Sequence, residues 1–283
     1  MKAAREPALI TIAVIVAGVL FGLMRERLDS YFDRLRRRVS RPVLTAASIF
    51  LLALLSSLVT VIVAALMLLE VIGLLRLRGQ ERIRVAVAGC FAIGRATALT
   101  PLGGPLSTLA ASSLKLPFFG LFELLGPWIL FSTAAASILA GYFARGVQLE
   151  IPDDVHVRES GSAAFLQGAK VYVFIAGLVL VSHAYEPVVT RFVQALSDSS
   201  LFWINTVSAV LDNATLVSLE VHNMTAPRAR HAIIALLVSG GMLIPGNIPN
   251  IVSAGPLKIR STEWARIGLI GLALYFVALS ALA

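Results

Sequence analysis

The sequence predicts an all-α integral membrane protein made of two inverted-topology repeats, each with a re-entrant helical hairpin and a discontinuous transmembrane helix. Hydrophobic residues make up 58% of the 283 residues and charged residues only 14%, which is more apolar surface than one soluble core can bury. Apolar runs long enough to cross a hydrocarbon core of about 30 Å recur along the chain. Two of these runs are interrupted at their centres by similar strings of proline and glycine.

Eight apolar runs occupy most of the chain, at residues 7–24, 43–75, 85–114, 118–143, 171–196, 201–224, 231–256 and 264–283. They are continuously apolar rather than alternating, so membrane helices are expected and barrel strands are not. Arg25 and Arg27 follow the first run without a small-residue cleavage pattern, which indicates a retained helix rather than a signal peptide. Cys90 is the only cysteine, so disulfides within the chain are excluded.

The distribution of positive charge predicts the topology. Seven arginines lie within residues 25–41 and four within residues 76–84, and the positive-inside rule places both clusters in the cytoplasm. The intervening run, 43–75, is then expected to form a re-entrant hairpin that returns to its own side. A single long, tilted helix is the alternative, because the run contains no Gly or Pro turn before Gly73 and only Ser56, Ser57 and Thr60 interrupt it.

With this hairpin, 17 of the 24 Lys and Arg residues lie inside, six lie outside, and Arg95 lies within the membrane. We therefore expect a multi-pass protein of the cell (inner) membrane with both termini outside. Residues 25–41 are either a basic amphipathic helix on the anionic leaflet or a solvated run of charge. The net charge of +8 is explained by topology, and no nucleic-acid partner is expected.

The only long polar stretch in the middle of the chain divides it into two halves. Residues 1–144 form the first repeat, with hairpin 43–75 and broken helix 85–114. Residues 145–169 form a cytoplasmic linker. Residues 170–283 form the second repeat, with hairpin 201–224 and broken helix 231–256.

Each broken helix contains Pro-x-x-x-Pro with glycine between the prolines: Pro101 to Pro105 in the first half and Pro245 to Pro249 in the second. Proline removes a backbone donor and glycine weakens helix, so each string is expected to unwind its helix at mid-membrane depth. Unwound backbone survives there only where protein or a water-filled cavity satisfies it. A structural kink is the alternative for either string alone, but two matching breaks in oppositely oriented halves are typical of secondary transporters.

The string Ser208-Ala-Val-Leu-Asp212-Asn213-Ala-Thr215 places an acid, an amide and hydroxyl groups in an otherwise apolar run. A carboxylate at membrane depth is costly and is a functional candidate. Asp212 and Asn213 are the candidate Na⁺ ligands, and a salt bridge or a helix cap is the alternative role for Asp212. Further candidate ion or substrate ligands come from the breaks: Thr100, Gly103, Gly104, Ser107, Gly246, Asn247 and Asn250.

Arg95 lies six residues before Pro101, too deep to be a loop charge. It either pairs with an acid such as Asp212 or binds an anionic substrate. Three acids near run ends and two histidines are weaker candidates: Glu70, Glu123, Glu186, His183 and His222. No metal-binding motif and no arrangement of nucleophile and base is present, so neither a cofactor nor an enzymatic activity is expected.

At these residues the chain resembles the ion transporter superfamily, which includes NhaD-type sodium/proton antiporters, arsenite transporters and divalent-anion/sodium symporters. Residues 208–215 are similar to the Ser-Ala-Val-Leu-Asp-Asn-x-Thr string of the antiporter branch. Residues 246–250 are similar to the Gly-Thr-Pro-Pro-Asn break of that superfamily. The resemblance is closest to a poorly characterised group classed as cation transporters, and it implies a homodimer with a scaffold and a moving transport part.

The first half departs from this pattern, since residues 58–62 stand where an Asn-containing tip belongs, and the resemblance supports no second ion site there. The preferred function is exchange of Na⁺ or a similar cation for a proton at Asp212. The alternative is Na⁺-coupled uptake of an organic or oxo-anion held by Arg95 and the amides of Gly103, Gly104 and Gly246. A structural membrane subunit or a channel is the third possibility.

Overall fold

A computed structural model describes residues 27, 30–145, 196–207, 213–221, 224–271 and 273. The regular elements within these ranges are all helices. The helices with defined bounds are α1 (Arg41–Val59), α2 (Val61–Leu74), α3 (Gly79–Ala96), α4 (Pro105–Ser113), α5 (Gly120–Phe143), α6 (Asp198–Val207), α7 (Asn213–Glu220), α8 (Ala226–Ser239), α9 (Ile248–Ala254) and α10 (Ser261–Gly268). Residues 30–38 are helical as well. Short 3-10 turns at Thr97–Leu99 and Ile244–Gly246 follow α3 and precede α9.

Two of the described helices, α1 and α5, are long and apolar enough to cross a membrane. α5 has 24 residues and contains Pro127 in its interior without ending there. Both helices leave large apolar side chains exposed, including Leu51, Phe131 and Ile138. α1 and α3 both pack against α5.

The apolar run 43–75 is divided into α1 and α2 by Thr60, whose backbone has φ 87° and ψ 148°. This left-handed region is almost confined to glycine, so a β-branched residue there is strained. Arg41 at the start of α1 binds Glu81 at the start of α3 with an N–O distance of 2.7 Å, and it also donates to the carbonyl oxygen of Arg76, just after α2. The chain therefore doubles back at Thr60, and Arg41 of the first basic cluster lies beside Arg76 of the second at the same end of this helix pair.

Both expected interruptions of helix are present. The backbone between α3 and α4 leaves the helical conformation at Thr100 (φ −138°, ψ 158°) and regains it at Pro105. The backbone between α8 and α9 does the same from Leu243 (φ −127°, ψ 158°) to Ile248. In each break a glycine amide bonds the carbonyl three residues earlier, Gly103 to Thr100 and Gly246 to Leu243, both at 3.3 Å.

The two breaks match through these glycines rather than through their prolines. When Gly103 is aligned with Gly246, the prolines of the two breaks are out of register by one position, because the interval from Pro101 to Pro245 is one residue longer. In the first break the glycine is required by crowding, since a Cβ at Gly103 would overlap the carbonyl oxygen of Thr97. Proline is tolerated at either of the two positions that begin the next helix.

The short helices after the breaks end in the same way. Lys115 after α4 has φ 53° and Lys258 after α9 has φ 52°. In both cases the lysine amide bonds the carbonyl three residues back, and the next amide bonds the carbonyl five residues back, which is the Schellman arrangement. The interval between the two lysines equals the interval between Gly103 and Gly246.

The packing between helices has a matching pattern. α3 packs on α1 and α2, and α8 packs on α6 and α7. Across the two halves, α2 packs on α9 and α4 packs on α7. If α1–α4 and α6–α9 are interchanged in this list, the same contacts result. In each half, the second helix of the pair (α2 or α7) packs on the short helix of the other half (α9 or α4).

Several expectations concern residues outside the described ranges. The linker 145–169 is described only at Arg145, and the apolar runs 7–24 and 171–196 are likewise almost entirely undescribed. The tip of the second hairpin, residues 208–212, is also outside, although α6 and α7 lie on either side of it. Glu186, His183 and His222 are not described.

Candidate functional site

The first part of the candidate site is the contact between Asn213 and the turn that follows α8. Asn213 begins α7 and is 1% exposed. Its Nδ2 donates to the carbonyl oxygen of Leu236 and lies so close to Gly240 that a Cβ there would overlap it. Glycine at position 240 is therefore required for the amide of Asn213 to approach the backbone.

Asn250 reaches the same turn from the other side of the break. It lies in α9 and is 0% exposed. Its Nδ2 donates to the carbonyl oxygens of Gly240 at 2.7 Å and Leu243 at 2.8 Å. A Cβ at Gly240 would also come within 2.9 Å of the carbonyl oxygen of Gly246. Two carboxamides and an unwound backbone thus converge on Gly240.

The hydrogen bonds fix which way each amide points. Since a backbone carbonyl can only accept a hydrogen bond, the Nδ2 of each asparagine must face the carbonyl that it contacts. The Oδ1 of each asparagine therefore points away from that carbonyl. Within the described part of the chain, Oδ1 of Asn213 and Oδ1 of Asn250 are buried and accept no hydrogen bond. An unsatisfied buried acceptor costs about 1–3 kcal/mol. Hard cations bind oxygen ligands, and an oxygen that accepts no hydrogen bond is available for this.

This cluster is formed from amide and peptide oxygens rather than charged side chains. No group of three His, Cys, Asp or Glu side chains suited to a metal ion is found among the residues described. Asp212 and Ser208, which the sequence places next to Asn213, lie outside the described residues. Thr215 lies in α7, but its side chain is not described.

Asn247 has a different role from Asn250. Its Oδ1 accepts from the backbone amide of Ile248 at 2.9 Å, so it caps the N-terminus of α9. Its Nδ2 faces Gly94 of α3, where an added Cβ would lie 2.5 Å away. Asn247 therefore caps α9 and packs closely against α3 at Gly94.

The polar groups of the first break are satisfied within the break and by the tip of the first helix pair. Thr100 donates through Oγ1 to the carbonyl oxygen of Ser57 in α1, and the Gly104 amide donates to Oγ of Ser107 at 3.1 Å. The carbonyl oxygen of Gly103 accepts from the amide of Val61 at 2.6 Å. Since the amides of Gly103, Gly104 and Gly246 all donate locally, none of them is directed at an anion.

Thr60, at the tip of the first helix pair, contributes a buried hydroxyl with no hydrogen-bond partner in the described ranges. The tip is held against the first break by the Val61 to Gly103 bond. In the second half, Asn213, which directly follows the undescribed tip, contacts the end of α8. Among the residues described, the first half offers the unpartnered hydroxyl of Thr60 near its break, and the second half offers the unpartnered carboxamide oxygens of Asn213 and Asn250.

Arg95 lies on α3 and is 0% exposed. Its Nε donates to the carbonyl oxygen of Phe91 at 2.8 Å, and its Cζ lies 5.3 Å from the centre of the Phe91 ring. Within the described residues, Nη1 and Nη2 have no hydrogen-bond partner. Arg95 borders a cavity between α3, α5 and the end of α10, on a different side of α3 from the contact between Gly94 and Asn247.

The structure also buries a carboxylate that the sequence analysis does not single out. Glu220 at the end of α7 is 4% exposed and accepts from Nδ2 of Asn205 in α6 at 2.8 Å. Glu220 follows Asp212 by eight residues in the same apolar run, so an acid within an apolar run is a sequence signal that could have found it. Its burial depends on the packing of α6 against α8 and of α7 against α4, which the sequence does not show.

The described fold and site define a class: a helical protein with membrane-length apolar helices, two helices interrupted by glycine and proline, and buried unpaired amide oxygens at one interruption. Within that class the chain belongs to the family described as protein of unknown function (DUF1646), whose model matches residues 1–282. No curated protein matches the chain.

Proposed function

We propose that this protein is a secondary active transporter of the cell membrane that exchanges a monovalent cation such as Na⁺ for protons by alternating access. The observation that carries this proposal is the convergence of Asn213 and Asn250 on Gly240, with both carboxamide oxygens buried and unpaired. A dehydrated cation needs several oxygen ligands held at fixed distances. These two oxygens, with nearby backbone carbonyls, provide the beginning of such a shell.

Asp212 completes the site in this proposal, because it directly precedes Asn213 and supplies the negative charge that amide oxygens lack. A carboxylate can hold either the cation or a proton, and competition between the two for one group is sufficient for exchange. Each transported cation then requires release of a proton from the same position.

The inverted repeat is proposed for three reasons that concern different parts of the chain. The two breaks have the same hydrogen bonds at equivalent glycines, the helices after them end in the same motif, and the contacts between helices are unchanged when the halves are exchanged. The doubling back of α1 and α2 at Thr60 supports a re-entrant hairpin, since both basic clusters then lie on one side. Two packings of such halves give access to one site from either side in turn.

Na⁺-coupled anion uptake receives less support. It needs free amides at the breaks, and those of Gly103, Gly104 and Gly246 already donate within their own turns. We therefore propose cation exchange, with Arg95 outside the cation site.

The test is dequenching of a pH-sensitive dye in everted vesicles or proteoliposomes on addition of Na⁺, Li⁺ or K⁺. Asp212→Asn, Asn213→Leu and Asn250→Leu are expected to abolish the response. Asn247→Ser is the matched control from the same break, because serine caps a helix as well as asparagine does, and it should retain most of the exchange. Normal exchange by Asp212→Asn together with Asn250→Leu would eliminate this assignment.

A further inference from the structure

We propose that the exposed side of residues 30–38 binds the headgroup of an anionic phospholipid. These residues form a helical segment just before α1. Its apolar side, with Phe32 and Leu35, packs against the hydrophobic core of the bundle. This differs from an amphipathic helix whose apolar side lies in the leaflet, because protein already covers that side. The side left for a partner is basic and exposed, at Arg34, Arg37 and Arg38.

The charge of these three arginines is not neutralised within the described part of the chain. None of them has an ion pair or a hydrogen bond to a described residue. Asp33 is the only acid in residues 30–38, and it pairs with Arg36 and, at 3.6 Å, with Arg76. Guanidinium groups whose donors are not used within the protein match the oxygens of a phosphate group.

The fold adds further positive charge at the same end of the bundle. The pair of Asp33 with Arg76 brings the second basic cluster beside residues 30–38. Within that cluster Arg82 donates through Nη2 to the carbonyl oxygen of Leu257 at 3.4 Å, which places Lys258 nearby. Basic residues from separate parts of the sequence thus form one surface, and such a surface attracts anionic rather than zwitterionic lipids.

Neighbouring apolar groups place this surface at the level of lipid headgroups rather than in open water. Tyr31 is 58% exposed and shares a side of the helical segment with Arg34 and Arg38, since positions three and seven residues apart align. Tyrosine is enriched where a membrane meets water. Val43, near the start of the membrane-length helix α1, is also 58% exposed. The arginines therefore lie beside the apolar surface of α1, where the phosphates of a leaflet are expected.

Native mass spectrometry of the full-length protein in detergent, with phosphatidylglycerol or phosphatidylcholine added, tests this proposal. The first phosphatidylglycerol is expected to bind at least tenfold more tightly than phosphatidylcholine. Arg34→Gln/Arg38→Gln should weaken that event at least tenfold, because each arginine near an anionic surface contributes about fivefold. Arg34→Lys/Arg38→Lys should retain most of the affinity, since it keeps both charges. Tyr31→Ser should weaken the binding of this lipid as well, because it removes the interfacial aromatic ring.

The matched control is Lys115→Gln/Arg230→Gln, which removes the same number of exposed charges from outside this surface. Its affinity for phosphatidylglycerol should stay within about twofold of the natural protein, because distant exposed charges are screened. The Tm without added lipid should be unchanged in both double variants, since the four side chains are exposed and carry no packing role.

Four outcomes would overturn the proposal. They are equal binding of the two lipids, unchanged binding by Arg34→Gln/Arg38→Gln, binding of free glycerol phosphate as tight as that of the lipid, and tighter binding of a polyglutamate peptide than of the lipid. The last two would show that the surface recognises a soluble anion rather than a membrane. None of these measurements depends on cation exchange.

Discussion

At the scale of single residues, the second break depends on close approaches that few side chains permit. The side-chain amide of Asn213 lies against Gly240, where any Cβ would overlap it, and donates to the carbonyl oxygen of Leu236. Asn250 spans the break by donating to Gly240 and Leu243. The same two asparagines have oxygens without partners among the described residues. The residues that hold the unwound backbone in place are therefore the ones proposed to bind the cation.

Gly240→Ala is expected to abolish cation binding while the protein still folds. The added methyl group displaces Asn213 from the carbonyl of Leu236, at a cost of about 1–3 kcal/mol in stability. The measurement is the Na⁺-dependent increase in Tm. Gly255→Ala is the control, because a Cβ at Gly255 meets nothing within 4 Å; a full Na⁺ response by Gly240→Ala would contradict this role.

Thr60→Gly is expected to raise the free energy of unfolding by about 1 kcal/mol, because it removes the strain of a threonine at φ 87°. Thr133 is the matched control: like Thr60 it has a buried hydroxyl without a partner among the described residues, but it lies inside α5. Thr133→Gly should lower stability by about 1 kcal/mol, as glycine does in a helix interior. Thermal unfolding of both variants gives the comparison, and equal losses of stability would show that Thr60 is not strained.

At the scale of the helices, two ion pairs with different surroundings illustrate what holds the bundle. Arg41 and Glu81 join α1 to α3 with side chains 16% and 18% exposed. Arg260 and Glu263 pair at the start of α10, where Arg260 is 78% exposed. There the hydrogen bond from the Arg260 side chain lowers the pKa of Glu263, but solvent screens such a surface pair.

Replacing Arg41 and Glu81 by glutamine, singly and together, should give a coupling energy of about 1 kcal/mol in a double-mutant cycle. The reason is that the pair is partly buried and joins residues 40 apart in sequence. The cycle is measured by chemical or thermal unfolding. The same cycle on Arg260 and Glu263 should show no measurable coupling, and a zero value for Arg41 with Glu81 would argue against the doubling back of α1 and α2.

At the scale of the whole molecule, the same local structure occurs twice. Lys115 and Lys258 end the two short helices after the breaks with the same hydrogen bonds, and both side chains are exposed. If the halves are inverted, these equivalent lysines lie on opposite faces of the membrane. The positive-inside rule places Lys115 outside and Lys258 inside.

Lys115→Cys and Lys258→Cys, each in a Cys90→Ser background, test the inversion directly. An impermeant maleimide applied to whole cells should label only Lys115→Cys, and the same reagent applied to everted vesicles should label only Lys258→Cys. Both sites have the same backbone conformation, so differences in strain do not explain a difference in labelling. Labelling of both variants from one side would exclude inverted halves.

The sequence by itself determined the helical, apolar character of the chain and the two places where helix is interrupted, because composition and Pro and Gly positions act locally. Asn213, Gly246 and Asn250 were also named from the sequence. Only the tertiary structure decided that Asn250 braces the second break while Asn247 caps α9, that the first break satisfies its own amides, and that the breaks match through their glycines rather than their prolines. It also separated Arg95 from the breaks and buried Glu220. These features depend on which backbone carbonyl meets which side chain across packed helices, and that contact is set by folding rather than by neighbouring residues.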